Sequence, residues 1–312
     1  MMKTLQLVVP CYNEEANIAP FLNAVRQVAA TLPDYRVTLL FVDDGSADGT
    51  LAEIKRLKAD DVEYVSLSRN FGKESAMLAG LRASAGELVG VMDADLQHPP
   101  RLLPEMLKRI ENGADCCAAQ RTFARGRHPL SKWFYHISNR MTEVQMPVGA
   151  VDYRVMTRQM TDAVLELAEV ERFSKGIFLW VGFHTEWLPY QDEARTQGRS
   201  KWSFRGLVRY AVNGILSFSV VPLRVVTTTG ALISVGSLIY IVATLIKTLR
   251  FGVDVPGYVT TLCAVLFLGG IIELSVGVLG EYLARTYHEV KRRPPYILRE
   301  SSLPASKPEK RG

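Results

Sequence analysis

The chain has 312 residues, 48% hydrophobic and 22% charged, with a formal net charge of +5. That leaves room for a domain of about 200 residues and a smaller appendage. The absence of interleaved basic and aromatic residues excludes a nucleic-acid partner. Four cysteines, Cys11, Cys116, Cys117 and Cys263, lack metal-ligand spacing and two are adjacent, which excludes a disulfide scaffold and fits a reducing compartment.

Met1-Met2-Lys3 runs straight into Leu5–Val9, too short an apolar run for a signal-peptide core, so the first domain is expected to stay cytoplasmic. Leu5–Val9 and Val37–Val42 read as strands, ending at Pro10 and Asp43. Between them Ile18, Phe21, Leu22, Val25 and Val28 recur at helical spacing over Asn17–Leu32. A βαβ unit of this kind implies a parallel sheet with helices on both faces. The alternation continues with a helix over Thr50–Leu57, a strand over Val62–Leu67, a helix over Ser75–Ala85 and a strand over Leu88–Met92. Asp115–Gln120 reads as a further strand, after which the pattern fades. Arg121–His128 is expected as a loop and Trp133–Met146 as a helix.

Trp202–Val221 is apolar but carries Arg205 and Arg209, as suits a helix lying in a membrane interface. Val225–Ile246 then runs 22 residues without a charge, enough to cross a hydrocarbon core of about 30 Å. Val255–Ile272 forms a second span, extended to Gly280 if Glu273 is tolerated. Lys and Arg are dense before the first span (Arg199, Lys201, Arg205, Arg209, Arg224) and after the second (Arg285, Lys291, Arg292, Arg293), with Lys247 and Arg250 between them. That bias places both ends of a hairpin in the cytoplasm. The tail from Glu300 to Gly312 is rich in Ser, Pro and Lys and is expected to be disordered.

Ligands of open α/β sheets bind beyond the carboxyl ends of the strands, and there Asp43, Asp44, Arg69, Asp93 and Asp95 fall. Asp93-Ala94-Asp95 follows the strand Leu88–Met92, and carboxylates one residue apart can share Mg²⁺ or Mn²⁺ with a phosphate. A loop cap would use the same letters. Asp43-Asp44-Gly45-Ser46 suits a helix start as well as contacts to a base or ribose. Tyr12 could stack on a base, and a plain turn would also use it.

Val8-Val9-Pro10-Cys11-Tyr12-Asn13-Glu14-Glu15, Val42-Asp43-Asp44-Gly45-Ser46, Arg69-Asn70-Phe71-Gly72-Lys73 and Asp93-Ala94-Asp95-Leu96-Gln97 occur in this order. Together they resemble the family 2 glycosyltransferases of GT-A fold, in particular those acting on polyprenyl phosphates. Lys175-Gly176-Ile177-Phe178-Leu179-Trp180-Val181-Gly182, Ser217-Phe218-Ser219 with Pro222-Leu223-Arg224, and Leu279-Gly280-Glu281-Tyr282 leading to Arg293-Pro294 are similar to the bactoprenol glucosyltransferase branch.

The resemblance implies a GT-A α/β catalytic domain over residues 1–201 and interfacial helices over 202–222. It further implies two transmembrane helices within 225–283, at about 225–247 and 256–280, and a cytoplasmic tail over 284–312. It assigns Pro10, Tyr12, Glu14, Val42, Asp43, Asp44, Asp93, Ala94 and Arg121 to the nucleotide, and Asp93, Asp95 and Gln97 to Mg²⁺ or Mn²⁺. Asp152 matches the acid often taken as base, with Asp95 beside it in catalysis. Lys175, Arg195, Ser200 and Lys201 match phosphate contacts of acceptor or diphosphate. The chain departs from the family at Tyr153, Arg199 and Glu273.

The implied reaction is inverting transfer of a hexose, glucose by branch, from a UDP-sugar to undecaprenyl or another polyprenyl phosphate. Its setting would be the bacterial inner membrane, with several spans, and Glu273 is expected between protomers of a homo-oligomer or just past a shorter span. A phosphate monoester has a second pKa near 6, so the acceptor hardly needs deprotonation, and Asp152 could orient or stabilise instead of acting as base. GDP-mannose, UDP-N-acetylglucosamine or a UDP-aminoarabinose derivative remain alternative donors. A membrane scaffold or a flippase component remains the reading outside enzymes.

Overall fold

The structure, a computed structural model, describes residues 2–122, 144–167, 169–170, 172–191, 219–251 and 257–304. Four parallel strands form its centre: β1 (Lys3–Cys11), β2 (Tyr35–Asp43), β3 (Val62–Leu67) and β4 (Leu88–Val91). With β5 (Cys116–Arg121), β6 (Ala150–Thr157), β7 (Thr185–Tyr190) and β8 (Leu298–Ser301) they make an eight-stranded sheet in the order β7-β5-β6-β4-β1-β2-β3-β8. β6 enters antiparallel between β4 and β5, and β8 lies antiparallel against β3. The remaining pairings are parallel.

Helices cover both faces, because the central strands are apolar on both sides. On one face α1 (Glu15–Ala29), α2 (Thr50–Arg56) and α4 (Leu103–Glu111) bury Ile18, Phe21, Leu22, Val25, Ile54, Met106 and Leu107 against Leu5, Leu7 and Val9. On the other, α3 (Lys73–Ala83), α5 (Arg158–Glu166) and α6 (Ser174–Trp180) pack over Val8, Val42, Val89 and Val91. Small residues bring α3 down onto the sheet. A Cβ on Gly80 would lie 2.2 Å from Val8 Cγ1, so the helix could not sit this close with a larger residue there.

The fold agrees with the expected GT-A-type layering, with three differences. The helix expected at Ser75 begins at Lys73, which brings that lysine to the edge where the strands end. The chain beyond β5 remains regular, supplying β6, α5, α6 and β7. The tail does not become disordered at Glu300, because Leu298–Ser301 adds to the β3 edge. Ser68 N donates to Ile297 O at 2.9 Å, Ser302 N donates to Tyr64 O at 2.9 Å, and Lys55 pairs with Glu300 at 2.6 Å. Tyr296 and Leu303 pack beside the second core.

The two apolar helices are α7 (Val221–Phe251) and α8 (Tyr258–Val290). Both contain stretches long and apolar enough to cross a membrane, Val221–Tyr240 and Phe267–Val290. Large apolar side chains face outward along them, Leu232 at 75% exposure and Leu274 at 67%, as a lipid-facing surface requires. Their 31 and 33 residues exceed the roughly 20 needed to span a bilayer. The last turns of α8 instead reach the sheet domain, where Glu289 accepts from Val170 N at 2.8 Å. Tyr282 Oη donates to Ser219 O at 2.7 Å and ties α8 to the segment preceding α7. Of the helix expected over Trp133–Met146, only its last three residues are described, and they are not helical. The expected interfacial helix lies outside the described residues up to position 218.

Candidate functional site

The carboxyl ends of β1, β2 and β4 meet along one edge, and the loops leaving them are stitched together by their own polar groups. Asn13, in the left-handed region at φ 55°, donates its N–H to Ser46 Oγ at 3.0 Å and accepts from Ala47 N at 2.9 Å. Glu14 N donates to Thr50 Oγ1 at 2.8 Å. Gly45 has φ 63°, and a Cβ there would lie 2.3 Å from the Arg69 carbonyl carbon. Only glycine lets the turn after β2 approach the loop after β3 so closely.

Asp43 and Asp44 hold this junction. Asp43 accepts from Ser66 Oγ at 2.8 Å and from Ser46 N at 3.1 Å. Asp44 accepts from the N–H groups of Phe71 and Gly72 at 2.7 and 2.9 Å. Burial raises the Asp44 pKa while those two amides oppose the shift. Both acids are almost fully buried, and their described hydrogen bonds shape the loops. Val42 and Ala94, also expected at the nucleotide, have buried side chains, so their backbone is what they can offer a ligand. Tyr12 is 39% exposed at the same edge, as a stacking ring would need to be.

The charged centre lies beside these loops. Lys73 Nζ sits 2.7 Å from Asp93 Oδ1 and 2.6 Å from Asp152 Oδ2. Desolvation opposes the Lys73 charge, but the Asp152 and Asp93 carboxylates overcome it and hold the ammonium above its ordinary range. Burial likewise works against ionised Asp152, yet Lys73, Lys175 and Arg154 hold it well below the usual carboxylate range. Asp152 is therefore firmly ionised at neutral pH and is a weak base.

His98 closes the far side. Its Nε2 lies 3.7 Å from Asp93 Oδ2, its Nδ1 2.6 Å from Tyr190 Oη, and its ring stacks on Tyr153. Burial lowers its pKa below the ordinary value, so the ring is neutral at pH 7. Glu74 accepts from both the N–H and the hydroxyl of Ser174, which anchors the segment carrying Lys175. Burial, with Asp152 nearby, raises the Glu74 pKa. Asp95 turns back to accept from Gln97 N at 3.1 Å across Leu96, which adopts φ 57°. A leucine rarely adopts that conformation, and strain of this kind clusters at functional sites.

Among the described residues no three His, Cys, Asp or Glu side chains converge as a metal cage. Mg²⁺ commonly takes one or two carboxylates and completes its shell with substrate phosphates and water. Asp93 and Asp95 are two such carboxylates at this edge, and Asp93 already pairs with the Lys73 ammonium. Arg121 is placed near enough to act on the charge of His98. Pro10, the last residue but one of β1, pairs with Val42 of β2. Arg195, Ser200 and Lys201 lie outside the described residues. Lys73, His98 and Glu74 were not anticipated. The signal for Lys73 was its position, since a lysine heading a helix opposes the helix dipole unless acids hold it.

The family described as Glycosyl transferase family 2 matches residues 6–164, and the GtrB C-terminal hairpin matches residues 221–286. CsbB of Bacillus subtilis, a glycosyltransferase by its name, is 44% identical over 96% of this chain and 92% of its own. The SfII prophage-derived bactoprenol glucosyl transferase of Shigella flexneri is 39% identical over 95% of this chain and 98% of its own. The prophage bactoprenol glucosyl transferase homolog of Escherichia coli K12 is 38% identical over the same shares.

Proposed function

Because this chain belongs to glycosyl transferase family 2 and carries the GtrB-type hairpin, we propose that it transfers glucose from UDP-glucose to a polyprenyl phosphate with inversion. The observation that carries the reading is the joining of two unlike halves. A cluster of acids and a lysine sits at the carboxyl edge of a sheet. The same sheet takes its last strand from the chain leaving two outward-facing apolar helices. A polar donor site and a lipid-facing anchor are thereby held in one molecule, as transfer to a lipid acceptor requires.

The domain over 1–201 binds the donor in the cytoplasm, with Tyr12 on the base and Pro10, Glu14, Asp43, Asp44 and Arg121 lining the nucleotide. Asp93, Asp95 and Gln97 would hold Mg²⁺ or Mn²⁺, and a divalent cation there would supply the positive charge that a diphosphate leaving group needs. The acceptor phosphate, with its second pKa near 6, is its own nucleophile. Asp152, weakly basic and ionised, serves by its negative charge beside the anomeric carbon, where positive charge develops. Lys175, Arg195, Ser200 and Lys201 receive the acceptor phosphate at the headgroup plane of the inner membrane. The spans at about 225–247 and 256–280 place both termini in the cytoplasm and pair with those of other copies.

Purified protein is mixed with UDP-glucose, with undecaprenyl phosphate, and with both, and UDP release is followed. Release that needs both substrates and Mg²⁺ or Mn²⁺, and that is lost in Asp95→Asn, is the expected result. Release without the lipid, or with an unrelated nucleotide sugar alone, contradicts the assignment.

A further inference from the structure

Asp93 lies two residues beyond the end of β4, Asp152 lies in the neighbouring β6, and Lys73 touches both. β4 and β6 run antiparallel with Val91 opposite Arg154. Like charges brought close to one another repel. The fold nevertheless brings these two together, and the group between them is the Lys73 ammonium, within 2.7 Å of each. Lys73 comes from a third element, at the N-terminal end of α3, where the helix dipole disfavours a cation. Its loop is fixed from both sides. Asp44 holds the N–H groups of Phe71 and Gly72 immediately before it, and Glu74 immediately after it is bound to Ser174.

From this geometry we infer that Lys73 is a positioning residue, a tethered counter-cation. It keeps Asp93 and Asp152 together in the unloaded enzyme and yields Asp93 to the divalent cation when the donor arrives, while retaining Asp152. The inference rests on the proposed transfer reaction for its kinetic consequence. Asp93 would then face one cation at a time, so Lys73 and the metal compete for the same oxygens. Asp152 stays oriented throughout because Lys73 never leaves it.

Mn²⁺ binding to the full-length protein in detergent, without nucleotide, tests the competition directly by electron paramagnetic resonance. Lys73→Met removes the competing charge and is expected to bind Mn²⁺ roughly tenfold tighter than the wild type, while Lys73→Arg stays near it. Lys73→Gln is the second charge-removing variant if Lys73→Met fails to fold. Equal affinity in wild type and the neutral variants, or no Mn²⁺ bound by any of them, overturns the inference.

Kinetics supply the second readout. Lys73→Met is expected to lower kcat at least about tenfold with the KM for UDP-glucose within about twofold, and Asp152→Asn added to it should cost little more. Multiplicative losses overturn the coupling. A wild type without transfer activity refutes the proposed function instead, and the Mn²⁺ comparison then still decides the role of Lys73.

Discussion

Replacing Tyr153 by phenylalanine removes one hydroxyl and leaves the ring where it stacks on His98 at 6.1 Å. That hydroxyl is fully buried in β6 and has no hydrogen-bond partner among the described residues. Burial pushes the phenol well above its ordinary pKa, so ionisation gives it no further role. A buried hydroxyl without a partner costs about 1–3 kcal/mol in lost hydration, whereas the ring's packing is unchanged in the variant. Tyr153→Phe is therefore expected to stabilise the sheet domain by about 1–2 kcal/mol, a rise of about 2–8 °C in Tm for a domain of this size. Thermal unfolding followed by circular dichroism, with wild type and variant in the same detergent, reads the shift. A loss of 1 kcal/mol or more, by the order of a lost hydrogen bond, would refute the reasoning, because the hydroxyl would then have a partner in the folded protein.

Three further outcomes follow from the packing and charges. Gly80→Ala is expected to destabilise despite the gain of about 1 kcal/mol in helix propensity, because its Cβ would meet Val8 Cγ1 at 2.2 Å; urea unfolding that shows stabilisation contradicts the close seating of α3. Asp152 has a depressed folded-state pKa, so its contribution is present above the unfolded value of about 4 and fades as pH falls below it. The stability cost of Asp152→Asn should accordingly stay constant from about pH 8 to about pH 5 and shrink only below about pH 4, and a cost already shrinking at pH 6 contradicts the Lys73 pairing. Removing residues 297–312 takes away β8 and its bonds to Ser68 and Tyr64, which should cost about 2–4 kcal/mol in denaturant unfolding. An unchanged midpoint would mean that the strap does not pair with the β3 edge.

The first half of the fold was legible because parallel strands buried on both faces leave continuous apolar runs, and Leu5–Val9, Val37–Val42 and Leu88–Met92 are such runs. The acids at their ends followed from that reading. β6 lacks such a continuous run, since Ala150–Thr157 carries Asp152 and Arg154 between its apolar residues; the alternation itself suits a strand. Arg154 is 1% exposed, and its guanidinium donates to the Val151 and Asp152 carbonyls and lies 3.9 Å from the Phe178 ring. The carbonyl partners are local, but the Phe178 ring that covers the guanidinium comes from a helix 24 residues on and cannot be named from local sequence. β8 is polar and short, and becomes a strand only because the β3 edge is there to receive it. Lys73 stood in a recognised motif, but its role depends on the pairing of β4 with β6, which brings near each other residues 59 positions apart in the chain.

The lipid product is the most direct mark of the proposed transfer. Undecaprenyl phosphate incubated with the purified protein, UDP-glucose and Mg²⁺ should be recovered, by mass spectrometry of the extracted lipid, with a single added hexose joined through phosphate. Nuclear magnetic resonance of that product should show a β linkage, and Asp95→Asn should yield none. Unmodified lipid from folded wild-type protein across the nucleotide-sugar donors, or an α-linked product, contradicts the proposed transfer.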